Sequence, residues 1–308
     1  MTPRRPPRLL AATVAAVLLA GCTGDGDGDA ARESSTTAAV PPTTEATAAN
    51  IVTIGMREYG FDVGGPLVAG TGTVAFRNGG REVHMAGFGL LRSDKTVDDV
   101  IEALASEDAA AFEQVFEKEL DAPGGLLGPG EAMEVTTPFL AAGTYAVMCF
   151  VPTAGEDVPH SAKGMVAELE VTEGDARPPA PSPAAAYAIE GGTITGPAAL
   201  PAGRTTLEVR SGAGGPHEVL VARKRSPTTT YAEIDAAYTS LFEGEVPPAP
   251  GYPDTLPAAI AGNVFDVPAG STIFLTIDLE PGHYLVGCAR RPDDGPEHTG
   301  ELIEVRVG

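Results

Sequence analysis

Six side chains suited to binding a metal recur in the same order in the two halves of the chain. They are His84, Cys149 and His160 in the first half, and His217, Cys288 and His298 in the second. The first histidine and the cysteine are 65 residues apart in one half and 71 in the other, and the cysteine and second histidine are 11 and 10 apart. Because such spacings rarely coincide by chance, we interpret the halves as an internal duplication.

The first half holds all the ligands of one kind of copper site. Two imidazoles and one thiolate, with a weak and distant thioether, form blue-copper electron-transfer sites. His84, Cys149 and His160 supply the first three groups, and Met165, five residues after His160, supplies the thioether. The sequence therefore predicts that these four residues bind copper.

The second half repeats the histidines and the cysteine but lacks the thioether. Ile303 occupies the position five residues after His298. The second half is therefore predicted to hold either a three-ligand copper site or one that has lost copper binding, formed by His217, Cys288 and His298. A three-ligand site would have a raised reduction potential, because only apolar bulk would lie on its axis.

Three segments of the first half resemble the cupredoxins, the blue-copper family of plastocyanin and azurin. They are Asn78-Gly-Gly-Arg-Glu-Val-His84, Gly143-Thr-Tyr-Ala-Val-Met-Cys149 and His160-Ser-Ala-Lys-Gly-Met165. The resemblance covers nearly all of both halves except their helical insertions. It implies a Greek-key β-sandwich in which His84, Cys149 and His160 are equatorial copper ligands and Met165 is the axial one.

The loop between Cys149 and His160 departs from the familiar cupredoxin pattern. Ten residues separate the two ligands, including Pro152 and Pro159, whereas familiar cupredoxins have only a few. A longer loop is less constrained. We therefore expect a softer site, or one that forms only when copper binds.

Short apolar or alternating runs bounded by Gly, Pro or Asn occur throughout both halves. Examples are Ile51–Ile54, Thr272–Ile277 and Leu302–Val307. Several such runs per hundred residues are typical of a sandwich or barrel. With the resemblance, they predict a mainly β fold of two tandem cupredoxin-like Greek-key β-sandwiches.

Each half also contains a helical pattern between its first histidine and its cysteine. Apolar residues recur at helical spacing over residues 97–104 and 231–241, each behind a threonine that is followed three residues later by an acidic residue. This arrangement is typical of a helix N-terminus. The first pattern continues over Phe112, Val115, Phe116 and Leu120. We therefore predict a helical insertion in each sandwich.

The N-terminus has the features of a bacterial lipoprotein signal. Three arginines precede an apolar run over Leu9–Ala20, which is too short to span a bilayer and ends in Leu19-Ala20-Gly21-Cys22. We expect residues 1–21 to be removed and Cys22 to be lipidated, so that the protein is anchored to the cell membrane outside the cytoplasm. An uncleaved anchor and a twin-arginine export route remain open.

Composition suggests boundaries for the rest of the chain. Residues 22–50 are rich in Gly, Asp, Thr, Ala and Pro and predict a disordered tether. Residues 174–186 are rich in Pro and Ala and predict a semi-extended linker. The first cupredoxin-like domain is then expected over residues 51–173 and the second over 187–308.

The charge of the chain makes nucleic acid an unlikely partner. Removing residues 1–21 removes three of the 20 Lys and Arg residues and no acid, leaving 17 basic side chains against 42 acidic ones, a net charge of −25. Duplex binding depends on Lys and Arg neutralising phosphates. The expected partners are the membrane, through the lipid, and a redox protein; the sequence does not determine the oligomeric state.

Two cysteines remain after Cys22, and in an oxidising compartment the default is a disulfide. Cys149 and Cys288 occupy equivalent positions of the duplication, however. Equivalent strand positions in neighbouring domains rarely lie within bridging distance. We therefore expect both thiols to be free.

The chain lacks the motifs of enzymes that could share this composition. Multicopper oxidases and copper nitrite reductases resemble stacked cupredoxin domains but need further histidines, often as His-x-His pairs, and this chain has neither such a pair nor a histidine next to a cysteine. Motifs of hydrolases and of phosphate-binding loops are also missing. The sequence therefore predicts a protein that is not an enzyme.

The leading hypothesis is a membrane-tethered cupredoxin-like protein that binds blue-type copper in its first domain and carries electrons outside the cytoplasmic membrane. Two alternatives remain. Single His and Cys residues in β-sandwiches are often only packed side chains, so the chain could be a metal-free scaffold that serves as a binding module of the cell envelope. It could also store or deliver copper.

Overall fold

The computed structural model describes residues 50–106, 108–191, 193–213, 216–242, 254–288 and 302–308. The predicted signal peptide, Cys22, almost all of the predicted tether, and His298 lie outside these residues. Among the described residues, no helix has the length and apolar character needed to cross a membrane.

The described residues of the first repeat form eight strands and two short α-helices. The strands are β1 (Ile51–Arg57), β2 (Gly60–Gly64), β3 (Leu67–Asn78), β4 (His84–Leu91), β5 (Phe116–Leu127), β6 (Ala132–Leu140), β7 (Gly143–Met148) and β8 (Val166–Ala176). The helices are α1 (Val97–Ser106) and α2 (Ala109–Glu113), and a 3-10 turn covers His160–Lys163.

The part of the second repeat that the structure describes contains nine strands and one helix. The strands are β9 (Ala185–Glu190), β10 (Thr193–Thr195), β11 (Ala199–Leu200), β12 (Gly203–Ser211), β13 (His217–Lys224), β14 (Ala258–Val267), β15 (Thr272–Leu279), β16 (Gly282–Cys288) and β17 (Leu302–Val307). The helix is α3 (Tyr231–Phe242). Residues 177–184, between β8 and β9, form neither helix nor strand.

The two repeats have the same strand pairing. In the first, β3 pairs in parallel with β1 and antiparallel with β6, β4 pairs with β5 and β7, and β7 pairs with β8. In the second, β12 pairs in parallel with β9 and antiparallel with β15, β13 pairs with β14 and β16, and β16 pairs with β17. The predicted fold class is confirmed: the chain is mainly β, with two tandem Greek-key sandwiches.

The strands follow their sequence patterns. In β1, Val52, Ile54 and Met56 are buried while the residues between them face outward, as expected because alternate side chains of a strand point to opposite faces. β7 is buried on both faces along its last four residues. Its outer face is covered by the helical insertion, because Ala146 and Met148 pack in one apolar cluster with residues of α1 and α2.

The helix starts are confirmed. The hydroxyl of Thr96 accepts the Asp99 N–H at 3.4 Å, and the Asp99 carboxylate accepts the Thr96 N–H at 2.9 Å. At α3, Thr230 and Glu233 make the same reciprocal pair at 3.3 and 2.7 Å.

The helical interpretation of Phe116 and Leu120 is wrong. α2 ends at Glu113, and both residues belong to β5, which pairs with β4 from Phe116 opposite Leu91 onward. Phe112 and Phe116 still meet, edge to face at 4.9 Å between ring centroids. Their spacing therefore reflects a shared apolar cluster across a turn, and strand pairing overrides the local helical pattern.

Equivalent strands join the two repeats. β6 pairs antiparallel with β15, with Val135 opposite Leu275, and β5 makes one further pair with β14. Val135 and Leu275 each lie five residues after the glycine of the preceding turn, Gly130 or Gly270. Because equivalent residues face each other, the repeats are related by an approximate twofold axis through this pair.

Cys149 and Cys288 are both buried, and neither forms a disulfide, as predicted. A disulfide between the repeats therefore does not contribute to the fold. Both thiols remain available for other chemistry.

Candidate metal centre

Strand pairing brings the first two predicted ligands together. His84 begins β4, and Cys149 directly follows the last residue of β7. These strands pair with Gly87 opposite Met148, so the start of β4 lies beside the end of β7. The main-chain N–H of Met85 donates to the Cys149 sulfur at 3.4 Å, which fixes the thiol against β4.

His160 completes a three-residue cluster. Its Nδ1 lies 3.1 Å from His84 Nδ1 and 3.4 Å from Cys149 Sγ. All three ligand atoms lie within 4.8 Å of one another, and all three side chains are 0% exposed. Among the described residues, no other group of three or more His, Cys, Asp or Glu side chains is gathered in this way.

The spacing of these atoms fits a single small metal ion. A divalent ion such as zinc lies about 2.0 Å from imidazole nitrogens and about 2.3 Å from thiolates. Ligand atoms at those lengths and at tetrahedral to trigonal angles are separated by roughly 3.3–3.7 Å. The observed separations of 3.1 and 3.4 Å are close to that range. Two imidazoles and one thiolate are the equatorial set of blue copper.

Main-chain hydrogen bonds join the two ends of the ten-residue loop between Cys149 and His160. The His160 N–H donates to the Val151 carbonyl at 3.0 Å, and the Ser161 N–H donates to the Cys149 carbonyl at 2.8 Å. Pro152 and Pro159 form an isolated antiparallel bridge between these ends. The expectation that length leaves this loop poorly constrained is therefore wrong, because its two ends are hydrogen-bonded to each other.

Met165 is held by the main chain next to two of the clustered residues. The Cys149 N–H donates to the Met165 carbonyl at 3.3 Å, and the Met165 N–H donates to the His160 carbonyl at 3.0 Å. The Met165 side chain is fully buried in the same apolar core as Cys149. The predicted fourth ligand thus lies in the segment that closes the site.

The electrostatics suit a metal and leave the three side chains uncharged without one. Burial and, to a smaller extent, the nearby His160 lower the pKa of His84 to about 4, although Glu58 opposes them. Burial also lowers the pKa of His160, although the Glu82 carboxylate opposes this effect. Burial raises the pKa of the Cys149 thiol to about 12. The imidazoles are therefore neutral, as a metal requires, and the thiol needs a cation to become a thiolate.

Two carboxylates that sequence analysis missed lie behind the histidines. Glu82 Oε2 is 3.2 Å from His160 Nε2, and Glu58 Oε1 is 3.6 Å from His84 Nε2. Burial acts to raise the pKa of Glu58, but main-chain N–H groups of Arg81 and Glu82 donate to it, and the net effect is a lowered pKa. The sequence offered a signal for Glu82, because this residue lies two positions before His84 in the cupredoxin-like segment Asn78–His84. It offered no such signal for Glu58.

Asn78 organises the turn that leads to His84. Its side-chain oxygen accepts the Gly80 N–H at 2.9 Å, and its amide nitrogen donates to the carbonyls of Glu82 at 2.8 Å and Leu127 at 3.0 Å. A buried Asn with such partners fixes the path of the chain. The asparagine of the quoted segment therefore places both Glu82 and His84.

The second repeat brings together two of its three predicted ligands. His217 Nδ1 lies 3.7 Å from Cys288 Sγ, and both residues are 0% exposed. His298 lies outside the described residues, and Ile303 lies in β17. The described part of this site is thus a buried His–Cys pair.

Comparisons with known proteins identify no family. No protein-family profile and no curated protein matches the chain. Among solved structures, the dithionite-reduced auracyanin of Roseiflexus castenholzii is 23% identical over 41% of this chain and 98% of its own, with a TM-score of 0.28. Auracyanin A, a blue copper protein of Chloroflexus aurantiacus, is 27% identical over 40% and 99%, with a TM-score of 0.24. A multicopper oxidase is 12% identical over 84% and 88%, with a TM-score of 0.23. At TM-scores this low, we base the function on the side chains of this chain alone.

Proposed function

We propose that this protein is a membrane-tethered, cupredoxin-like copper protein that carries single electrons outside the cytoplasmic membrane. The observation that supports this function is the convergence of His84 Nδ1, Cys149 Sγ and His160 Nδ1 in a fully buried cluster. Met165 would supply a thioether as the fourth ligand. His217, Cys288 and His298 are proposed as a second, three-ligand site.

The residues of the first site suit both oxidation states of copper. Copper would supply the one-electron chemistry. The Cys149 thiolate and the Met165 thioether favour Cu(I), whereas the two imidazoles accept Cu(II). The main-chain hydrogen bonds of His160, Cys149 and Met165 restrict movement of the ligands. A site that rearranges little between the two states exchanges electrons readily.

The proposal includes no catalytic step. His84 and His160 already belong to the cluster, so the described residues of the first repeat hold no further histidine for a catalytic copper. The protein would act by meeting a redox partner, with the lipid at Cys22 keeping it at the membrane. The acidic surface favours a partner with a basic docking face.

The test is a copper titration of the full chain, purified in detergent. We expect Cu(II) to produce an intense visible band of a thiolate–copper bond, with the first equivalent of copper bound in the first repeat. Rapid reduction and reoxidation by small redox reagents should accompany the colour.

The same titration separates the alternatives. Much tighter binding of Cu(I), with slow electron exchange, would instead support copper storage or delivery. A folded protein that stays colourless and takes up no copper would refute electron transfer and would support a metal-free binding module.

A further inference from the structure

Two carboxylates approach the ligand imidazoles from the side opposite to the Cys149 sulfur. We propose that Glu58 and Glu82 are positioning residues of the copper site. Glu82 holds His160 as the Nε2–H tautomer through a hydrogen bond, and the charge of Glu58, 3.6 Å from His84 Nε2, favours the same tautomer of His84. Both carboxylates thereby aim Nδ1 at the metal and strengthen the imidazoles as donors to Cu(II). This inference rests on the proposed copper-binding function and extends it to the residues that tune the metal.

Glu82 defines the tautomer of His160. Its Oε2 lies 3.2 Å from His160 Nε2, and because a carboxylate oxygen only accepts, the imidazole must carry its proton there. The lone pair of His160 Nδ1 then faces His84 and Cys149. Glu82 Oε2 also accepts the Ala154 N–H at 3.3 Å. The same carboxylate therefore fixes the ligand and the loop that carries it.

Glu58 has the corresponding place behind His84. Its Oε1 accepts the main-chain N–H groups of Arg81 and Glu82, which hold it in the turn. It lies 3.6 Å from His84 Nε2, a buried atom with no hydrogen-bond partner among the described residues. A Cβ at Gly80 would come within 2.7 Å of both Glu58 Oε1 and His84 Nε2. The glycine thus leaves the gap open for the carboxylate.

The second repeat shows that the fold itself does not require these acids. The pairing of β1 with β3 and of β9 with β12 makes Gly191 the counterpart of Glu58. In the sequence, His217 is preceded at the position of Glu82 by Gly215. Both repeats keep the first histidine and the cysteine, but at these two positions the second repeat has glycine where the first has glutamate. The two carboxylates therefore occur in the repeat that also has the fourth predicted ligand, Met165.

The physical effect follows from a carboxylate beside the distal nitrogen, which is hydrogen-bonded to it at His160 and lies 3.6 Å from it at His84. A carboxylate that accepts the Nε2–H makes the imidazole more basic and fixes its orientation, and loss of such a partner commonly lowers metal affinity 10–100-fold. Cu(II) gains more from a basic donor than Cu(I) does. A tenfold loss confined to Cu(II) would raise the reduction potential by about 59 mV for one electron.

The test uses Glu58→Gln and Glu82→Gln in the full chain. Glutamine keeps the size of the side chain but removes its charge. We expect each variant to bind Cu(II) at least tenfold more weakly and to have a raised potential, with unchanged Cu(I) affinity. In the copper-free protein, nitrogen NMR of the histidines should show Nε2–H tautomers in wild type and a mixture in the variants. Glu170→Gln, an exposed acid of β8, is the matched control.

The outcomes separate this inference from the function on which it rests. Normal copper uptake, with affinity and potential in both variants equal to those of Glu170→Gln, would overturn the positioning role alone. A wild type that binds no copper would overturn the function and this role together. If Glu82→Gln fails to fold, Glu58→Gln and Glu82→Asp decide the question, since aspartate keeps the charge and should retain part of the wild-type affinity.

Discussion

At the scale of single residues, the site combines neutral groups that become a charged ligand set only with a cation. The pKa of Cys149 is about 12 and that of His84 about 4, both because of burial. A buried thiol of this kind is an inert core residue unless a metal displaces its proton. The chemistry of the first repeat therefore depends on one sulfur atom.

Replacing that sulfur should abolish the visible band of the first copper site. Cys149→Ser removes the thiolate that produces the intense visible band, while the fold should persist because serine is similar in size. Absorption after addition of Cu(II) measures the effect. Cys288→Ser is the matched control, since Cys288 is equally buried in the second repeat and its loss should leave the band of the first site intact. A Cys149→Ser variant that keeps the band produced by the first equivalent of copper would contradict the assignment.

Gly80 offers a steric test of the gap behind His84. In Gly80→Ala the new Cβ would lie 2.7 Å from His84 Nε2 and from Glu58 Oε1, so it must push the carboxylate or the imidazole aside. We expect Cu(II) affinity to fall about tenfold, as when a ligand loses its supporting partner. Gly60→Ala is the control, because its Cβ would meet only Arg57 Nε at 3.9 Å. Equal copper affinities in the two variants would argue against a tight fit.

Sequence spacing could identify the clustered ligands but not their supporting acids. His84, Cys149 and His160 stand out because the duplication repeats them. Glu58 precedes His84 by 26 residues, and it reaches the imidazole only because β1 pairs in parallel with β3 and Asn78 fixes the next turn. Such a contact arises from the pairing of strands that are distant in sequence, and no local sequence pattern predicts it.

At the scale of elements, short polar motifs were better guides than apolar spacing. The Thr–acid pairs mark the starts of α1 and α3, since side-chain oxygens satisfy the free N–H groups of the first turn. The apolar spacing at Phe112 and Phe116 instead spans the end of α2 and the start of β5. Apolar contact occurs in both helices and turns, whereas a cap has a single geometry.

Removing the cap of α3 should lower stability without affecting copper. Thr230→Ala deletes the hydroxyl that accepts the Glu233 N–H at 3.3 Å. Loss of an N-cap costs about 1 kcal/mol. Urea unfolding followed by far-ultraviolet circular dichroism measures the change. Thr230→Ser restores the hydroxyl and should recover most of the loss; if serine is as destabilising as alanine, the cap is not the cause.

At the scale of the whole molecule, the proposed function requires the membrane attachment that the sequence predicts at Cys22. The residues before Asn50 carry the predicted signal and lipid site. Cys22→Ser should eliminate incorporation of labelled fatty acid into the chain, while Cys149→Ser should retain it. Mass spectrometry of the N-terminal peptide reports the same modification. A wild-type chain that incorporates no label would contradict the lipoprotein assignment.

The two repeats should unfold as one unit, because equivalent strands connect them. β6 and β15 pair around Val135 and Leu275, which are 0% exposed, and the apolar core continues from one repeat to the other. Separating the repeats would expose this core and break the ladder between them. A defect in one repeat should therefore weaken the other.

Ile189→Ala tests this coupling from the second repeat. Ile189 is 0% exposed in β9, and truncating a buried isoleucine costs about 2–5 kcal/mol. If the repeats are coupled, the urea midpoint for loss of the blue colour in the first repeat should fall together with the midpoint for loss of β structure. Ile51→Ala, at a 40% exposed position, should shift neither midpoint appreciably. A colour midpoint that stays at the wild-type value while β structure is lost in two steps would show two independent sandwiches, and the ladder between β6 and β15 would then be a contact without energetic consequence.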